Sequence, residues 1–171
     1  MKKYELTAEF IEQWGKKLFR IKALISFGSV EAGKLGGYVE KEDNLAQDGD
    51  AWVYGDARVY GDARVCGDAR VYGDAWVCGD AWVCGDADYL LIGRIGSRFS
   101  FTTFFKNKDK GITVSCGCFL GTIAEFRAKV TDTHGNNKHA KMYNLAADMA
   151  ELQILGEEHF DKLNTNKSEP F

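Results

Sequence analysis

A unit of six residues runs without a gap from Ala51 to Asp86, and nothing else in the chain limits its fold so tightly. It reads A-W-V-Y-G-D, A-R-V-Y-G-D, A-R-V-C-G-D, A-R-V-Y-G-D, A-W-V-C-G-D, A-W-V-C-G-D. A period of six does not match the 3.6 residues of a helical turn. It does match short extended segments joined by tight Gly-Asp corners. Side chains alternate along an extended segment, so Ala51 and Val53 share one side and Trp52 and Tyr54 the other. The small and β-branched pair suits a narrow interior. Gly55 admits a corner conformation that a Cβ hinders, and Asp56 is a common turn residue.

Three such units close a triangular coil, and residues eighteen apart then sit about 4.8 Å above one another. Trp52 neighbours Arg70, Arg58 neighbours Trp76, and Arg64 neighbours Trp82. Each pair is worth about 0.5–1 kcal/mol as an exposed cation–π contact. At the next outward position Tyr54 stacks on Tyr72, Tyr60 on Cys78, and Cys66 on Cys84. These ladders can simply stiffen the coil, or they can stack planar ligands or a neighbouring subunit. So many outward aromatics exceed what a monomer usually exposes. Trp52, Arg58, Arg64, Arg70, Trp76, Trp82, Tyr54 and Tyr72 are therefore the candidate oligomer and stacking surface. The Asp50, Asp68 and Asp86 column reads as solvated corners.

The A-x-V-x-G-D run of residues 51–86 resembles the hexapeptide-repeat left-handed β-helix. The likeness is looser over residues 30–50. It implies left-handed coils, against the usual right-handed crossover, and a homotrimer. The layout also resembles small phage- and prophage-encoded hexapeptide-repeat proteins. The residues that carry this are Gly36-Gly37-Tyr38-Val39-Glu40, the G-D-A-x-V run, and the turn from Cys116 to Thr122. The expected fold is mainly β: a left-handed parallel β-helix of about three coils over residues 31–92, with an N-terminal cap and a C-terminal α+β module.

The cap is residues 1–30, because an open coil end exposes unpaired backbone. Within it Thr7 is expected to start a short helix carrying Phe10, Ile11 and Trp14, and residues 18–25 read as a strand. Val30, Leu35, Val39 and Leu45 seed an irregular first coil. Tyr89-Leu90-Leu91-Ile92 reads as a last apolar segment leading out. Residues 93–171 form the module, a β-hairpin plus two helices. The hairpin strands are Phe99–Phe105 and Ile112–Phe119, around a charged turn at 106–111. Thr122-Ile123-Ala124-Glu125 has capping-box spacing and predicts a helix ending near Gly135. A second helix runs from about Lys138 to Leu155, with Tyr143, Leu145, Ala146, Met149, Leu152 and Ile154 largely buried. The tail from Leu163 is polar and reads as frayed, and the single proline, Pro170, lies within it.

A net charge of −3 with dispersed Lys and Arg implies no general nucleic-acid binding. No signal segment and no long apolar run is present, so the chain reads as cytoplasmic, without a membrane partner. Five cysteines, an odd number with three on outward coil positions, fit a reducing compartment better than a disulfide framework.

The family's acyltransferases generally place a histidine at the coils, often with an inserted loop. Residues 51–86 hold neither, and His134, His139 and His159 all fall in the C-terminal module. No catalytic residue is assigned. No metal site or cofactor is assigned either: coil histidines are absent, and Cys116-Gly117-Cys118 lacks a second pair. The stretch Gly93 to Arg98 is the candidate binding region. Glycines free backbone N–H groups, and Arg94 and Arg98 can fork onto phosphate or carboxylate. Ser97, Thr102, Thr103, Lys106 and Thr122, with its helix N-terminus, complete the candidate set. Salt bridges at the junction are the competing role for the two arginines. The leading expectation is an oligomer that captures an anionic, nucleotide-like molecule, in the phage setting a host immune signal. The alternative is a rigid scaffold that presents the module to a host protein. An acyltransferase stands third.

Overall fold

The computed structural model describes residues 1–165, so Pro170 and the end of the polar tail lie outside the described residues. The chain forms two compact units, Met1–Asp88 and Tyr89 onward.

The first unit is mainly β. An antiparallel hairpin, β1 (Tyr4–Gln13) and β2 (Lys16–Ala23), leads into β3 (Leu35–Val39). Six two-residue strands follow, β4 (Trp52–Val53), β5 (Arg58–Val59), β6 (Arg64–Val65), β7 (Arg70–Val71), β8 (Trp76–Val77) and β9 (Trp82–Val83). They pair in parallel eighteen residues apart: Trp52 with Arg70, Arg58 with Trp76, Arg64 with Trp82. Every repeat Ala and Val from Ala51 to Val83 is buried, which forms the interior that the alternation predicts. The corner glycines from Gly55 to Gly79 sit at φ between 60° and 71°, where only glycine is unstrained. At Gly67 a Cβ would also strike the Cys84 carbonyl of the rung above.

The N-terminal segment differs from the expected short helix. Trp14 (φ 52°) and Gly15 (φ 74°) make a two-residue turn of the kind that closes twisted hairpins, and Gln13 pairs with Lys16 across it. A bulge between Leu6 and Phe10 breaks the alternation that would have marked β1 as a strand. Thr7 Oγ1 does accept a nearby N–H, from Glu9, but within that bulge. β2 pairs with β3, and β3 pairs in parallel with β5, so the hairpin extends one solenoid face into a five-stranded sheet.

Two buried polar side chains tie down the irregular first coil. The Lys3 amine donates to the carbonyls of Asp48, Gly49 and Ala51 at 3.0–3.3 Å and lies 4.7 Å from the Phe27 ring centroid. Burial pulls that amine below its ordinary pKa, with Asp48 and Asp50 opposing. Asn44, fully buried, donates to the carbonyls of Gly61 and Ala63 and accepts the Lys41 N–H. The coil backbone thus keeps its partners where the repeat is imperfect.

The second unit is a four-stranded antiparallel sheet with helices on one face. Its strands are β10 (Tyr89–Ile95), β11 (Ser100–Lys106), β12 (Ile112–Cys116) and β13 (Phe119–Thr122), in sequential order. The helices are α1 (Ile123–His134), α2 (Lys138–Leu155) and α3 (Glu157–Thr165). A hairpin with two helices is therefore too small a description. Residues 89–92 do not end the coil. They carry no Gly-Asp corner and instead pair with residues 102–105. Phe119–Thr122 adds a fourth strand after a tight Gly117-Cys118 turn. Gly156, at φ 89°, stops α2, and a third helix starts at Glu157 and runs to Thr165, into the stretch from Leu163 expected to fray.

Thr122 caps α1 as the spacing predicts, accepting from Glu125 N while the Glu125 carboxylate returns to Thr122. The core joins Phe104 and Val114 of the sheet to Phe126, Tyr143, Ala147 and Ala150, with Phe126 edge-on to both Phe104 and Tyr143. On α2 only Tyr143, Ala146 and Ile154 of the expected set are buried; Leu145, Met149 and Leu152 are exposed. The helix has apolar residues on two faces, and periodicity alone does not say which one docks. No helix among the described residues is long and apolar enough to cross a membrane.

Candidate functional site

The second unit contains a cleft of about 340 Å³ where two tight turns meet α1 and α2. The first turn, Gly96-Ser97-Arg98-Phe99, joins β10 to β11 and is held by Phe99 N–H to Gly96 O at 3.3 Å. Gly96 is indispensable there: the Tyr143 phenol occupies the space its Cβ would need. The second turn, Cys116-Gly117-Cys118-Phe119, joins β12 to β13 with Gly117 at φ 60°. The Arg98 guanidinium packs over Gly117, which brings the two turns together.

The lining divides by chemistry. Phe119, Phe126 and Val130 supply apolar wall. Arg98, Lys129 and His134 supply basic nitrogen, and Ser97, Thr133 and Tyr143 supply hydroxyls. Cys116, buried, and Cys118, exposed, add two thiols. No carboxylate is among the described lining residues. His134 stacks on Tyr143 with ring centroids 5.7 Å apart and 27° between planes. Burial pushes the Tyr143 phenol up, the adjacent Cys116 thiol adds to this, and Arg98 opposes it. Tyr143 therefore stays protonated and serves as a hydrogen-bonding group. Among the described residues no cluster of His, Cys, Asp and Glu could hold a metal ion.

Of the sequence-derived binding set, Ser97 and Arg98 lie in this cleft. Arg94 turns elsewhere, and its Nε donates to Phe99 O at 3.2 Å, pinning the turn. Thr102 is buried in the sheet and donates to Cys116 Sγ at 3.2 Å, while Thr103 is buried one position on. Lys106 ends β11, at the far end from Ser100 and the turn. Thr122 is consumed by its own capping box. The helix end at the cleft is not the α1 N-terminus: Lys129, Val130, Thr133 and His134 come from its C-terminal half. An anion there gains nothing from the positive end of the α1 dipole. No local motif joins Lys129, His134, Cys118 and Tyr143 to residues 97 and 98, so the sequence does not group them.

The coil ladders are partly as expected. Tyr54 and Tyr72 stack at 4.4 Å and 13°, and the Arg58 guanidinium lies 5.2 Å from the Trp76 ring. Trp76 and Arg70 are half-buried, whereas Arg64 and Trp82 are exposed. Trp52 is not part of an open surface. It is fully buried, with Tyr4 and Phe27 edge-on at 6.1 and 5.4 Å, because the N-terminal segment covers that rung. Arg58 is likewise engaged by Gln13, at 2.7 Å. Tyr60 and Cys78 are hydrogen-bonded neighbours. Cys66 and Cys84, expected as free stacked thiols, are joined as a disulfide, with Cα atoms 4.4 Å apart.

Compared with known families, residues 51–67 and 63–79 match the model described as YdcK beta solenoid repeat. The chain thus carries β-solenoid repeats. No curated protein matches it.

Proposed function

We propose that the protein is a non-catalytic binder that captures a small anionic molecule with a flat apolar group, of nucleotide type, in the cleft at Arg98. The observation that carries this reading is the lining: Arg98 and Lys129 beside an aromatic wall, with no carboxylate among the described lining residues. An anion 4 Å from one such cation gains about 4 kcal/mol at an effective dielectric of 20, before desolvation. Phe119, only partly buried and backed by Phe126, offers area to a planar ring. The volume, about 340 Å³, is at the lower end of ligand pockets and suits a mononucleotide better than a dinucleotide. The resemblance to phage-encoded repeat proteins supplies the setting, withdrawal of a host immune signal. We also read the coils as left-handed and of hexapeptide type. The hexapeptide type rests on the six-residue period with a positive-φ glycine at successive corners, and the left hand rests on the resemblance to the hexapeptide-repeat family.

The test is mass spectrometry of small molecules released on heating the purified protein, followed by calorimetry with a panel of mononucleotides. The expected result is one anion per chain, with affinity reduced about tenfold to a hundredfold in Arg98→Ala/Lys129→Ala, as the loss of charged hydrogen bonds implies. Failure of every mononucleotide to bind or to raise the melting temperature would overturn the reading.

A further inference from the structure

The α2 helix exposes a second apolar face. Met142, Leu145, Met149 and Leu152 are 40%, 63%, 57% and 44% exposed. Ala140, Tyr143, Ala146, Ala147, Ala150 and Ile154 fill the opposite, buried face. The exposed residues are separated by three, four and three positions, the spacing of a helix–helix seam. A contiguous apolar stripe of this kind marks an interaction site.

We infer that this stripe pairs with the same stripe of a second copy, antiparallel, about a two-fold axis between Leu145 and Met149. Two arguments select a second copy. First, three-four-three spacing is symmetric about its centre, so the stripe fits itself when reversed, as an isologous interface requires. Second, the charges complement only in that direction. Lys138 and Lys141 are exposed at the N-terminal end, and Glu157 and Glu158 are exposed just past the C-terminal end. Reversal about the axis places each copy's Lys138 opposite the other's Gly156–Glu157 step. It also sets the two helix dipoles head to tail. Parallel pairing would set basic end against basic end. Two stripes of four side chains each bury less than a standard stable interface of about 1,600 Å². The dimer is therefore reversible and concentration-dependent.

Sedimentation velocity over a wide concentration series tests this. The wild-type chain should shift from monomer to dimer as concentration rises. Leu145→Lys and Met149→Lys, both at exposed positions that leave the core intact, should each raise the dimer dissociation constant about tenfold or more. Circular dichroism confirms that the variants are folded. Lys138→Glu should weaken the dimer, and adding Glu157→Lys should restore it. A wild-type chain that stays monomeric throughout would overturn the inference. So would a dimer or trimer indifferent to the two lysine substitutions, which would place the contact elsewhere, on the coil faces for example. A charge exchange that fails to restore association would overturn the antiparallel register.

Discussion

Arg98 rests on Gly117: a Cβ at that glycine would come within 2.6 Å of the guanidinium Nη2. Two turns that are separate in sequence but lie at the same end of neighbouring strands are thereby packed as one wall. Gly117→Ala forces the guanidinium away and puts a Cβ at φ 60°. We expect a loss of about 1 kcal/mol of stability and a weaker anion affinity, read by thermal melting and by calorimetry. If affinity is unchanged while Arg98→Ala abolishes it, Gly117 does not position the arginine.

Lys3 donates to three coil carbonyls, those of Asp48, Gly49 and Ala51. Lys3→Met keeps most of the stem packing but removes the donor. The expected cost is about 1–3 kcal/mol, from buried acceptors left unsatisfied. Thermal melting followed by circular dichroism reads the loss. An unchanged melting curve would show that water replaces the amine without loss.

Glu40 supplies a pH signature. Burial opposes its ionisation, but hydrogen bonds from Lys16 Nζ and Gly61 N–H, each at 2.7 Å, and the charges of Lys16 and Lys41 outweigh it. Its folded pKa is therefore held below the ordinary value. A depressed carboxyl contributes stability that is present above its unfolded pKa and is lost as pH falls through the folded one. Glu40→Gln should be less stable than wild type at neutral pH, and the gap should close as pH falls below the ordinary carboxyl range. A gap that is constant with pH would exclude this linkage.

The thiols give a direct count. With Cys66 and Cys84 bonded, Cys78, Cys116 and Cys118 remain as thiols. Titration of the denatured, unreduced protein should find those three thiols per chain, and five after reduction. Five before reduction would mean that the stacked pair is open.

Regularity decides how much of this was legible in the sequence. A strict six-residue period gives the inward Ala and Val columns, the eighteen-residue rungs, and the Tyr54–Tyr72 and Arg58–Trp76 neighbours directly. Thr122 and Glu125 are likewise readable, since both partners of the box lie within one turn. Where the pattern is interrupted, reading fails. The bulge after Leu6 hides a strand, and the cover over Trp52 depends on a hairpin whose Trp-Gly turn is not a usual hairpin signal. The cleft gathers residues 97 and 98, 116 to 119, and 126 to 143. Only the sheet order brings those segments together, and no short spacing announces it. The buried side of α2 is hidden for a different reason: both faces of that helix carry apolar residues, so the pattern fixes a helix without fixing which side is inside.

Because successive rungs repeat every eighteen residues, the solenoid has a natural quantum of length. Duplication of eighteen residues would add one storey and return every later side chain to its original wall. Duplication of a single six-residue unit would instead turn all that follows by a third of a circuit, exchanging the Tyr54 wall for its neighbour. Only insertions in multiples of three units would leave the Ala–Val interior and the outer ladders unchanged together.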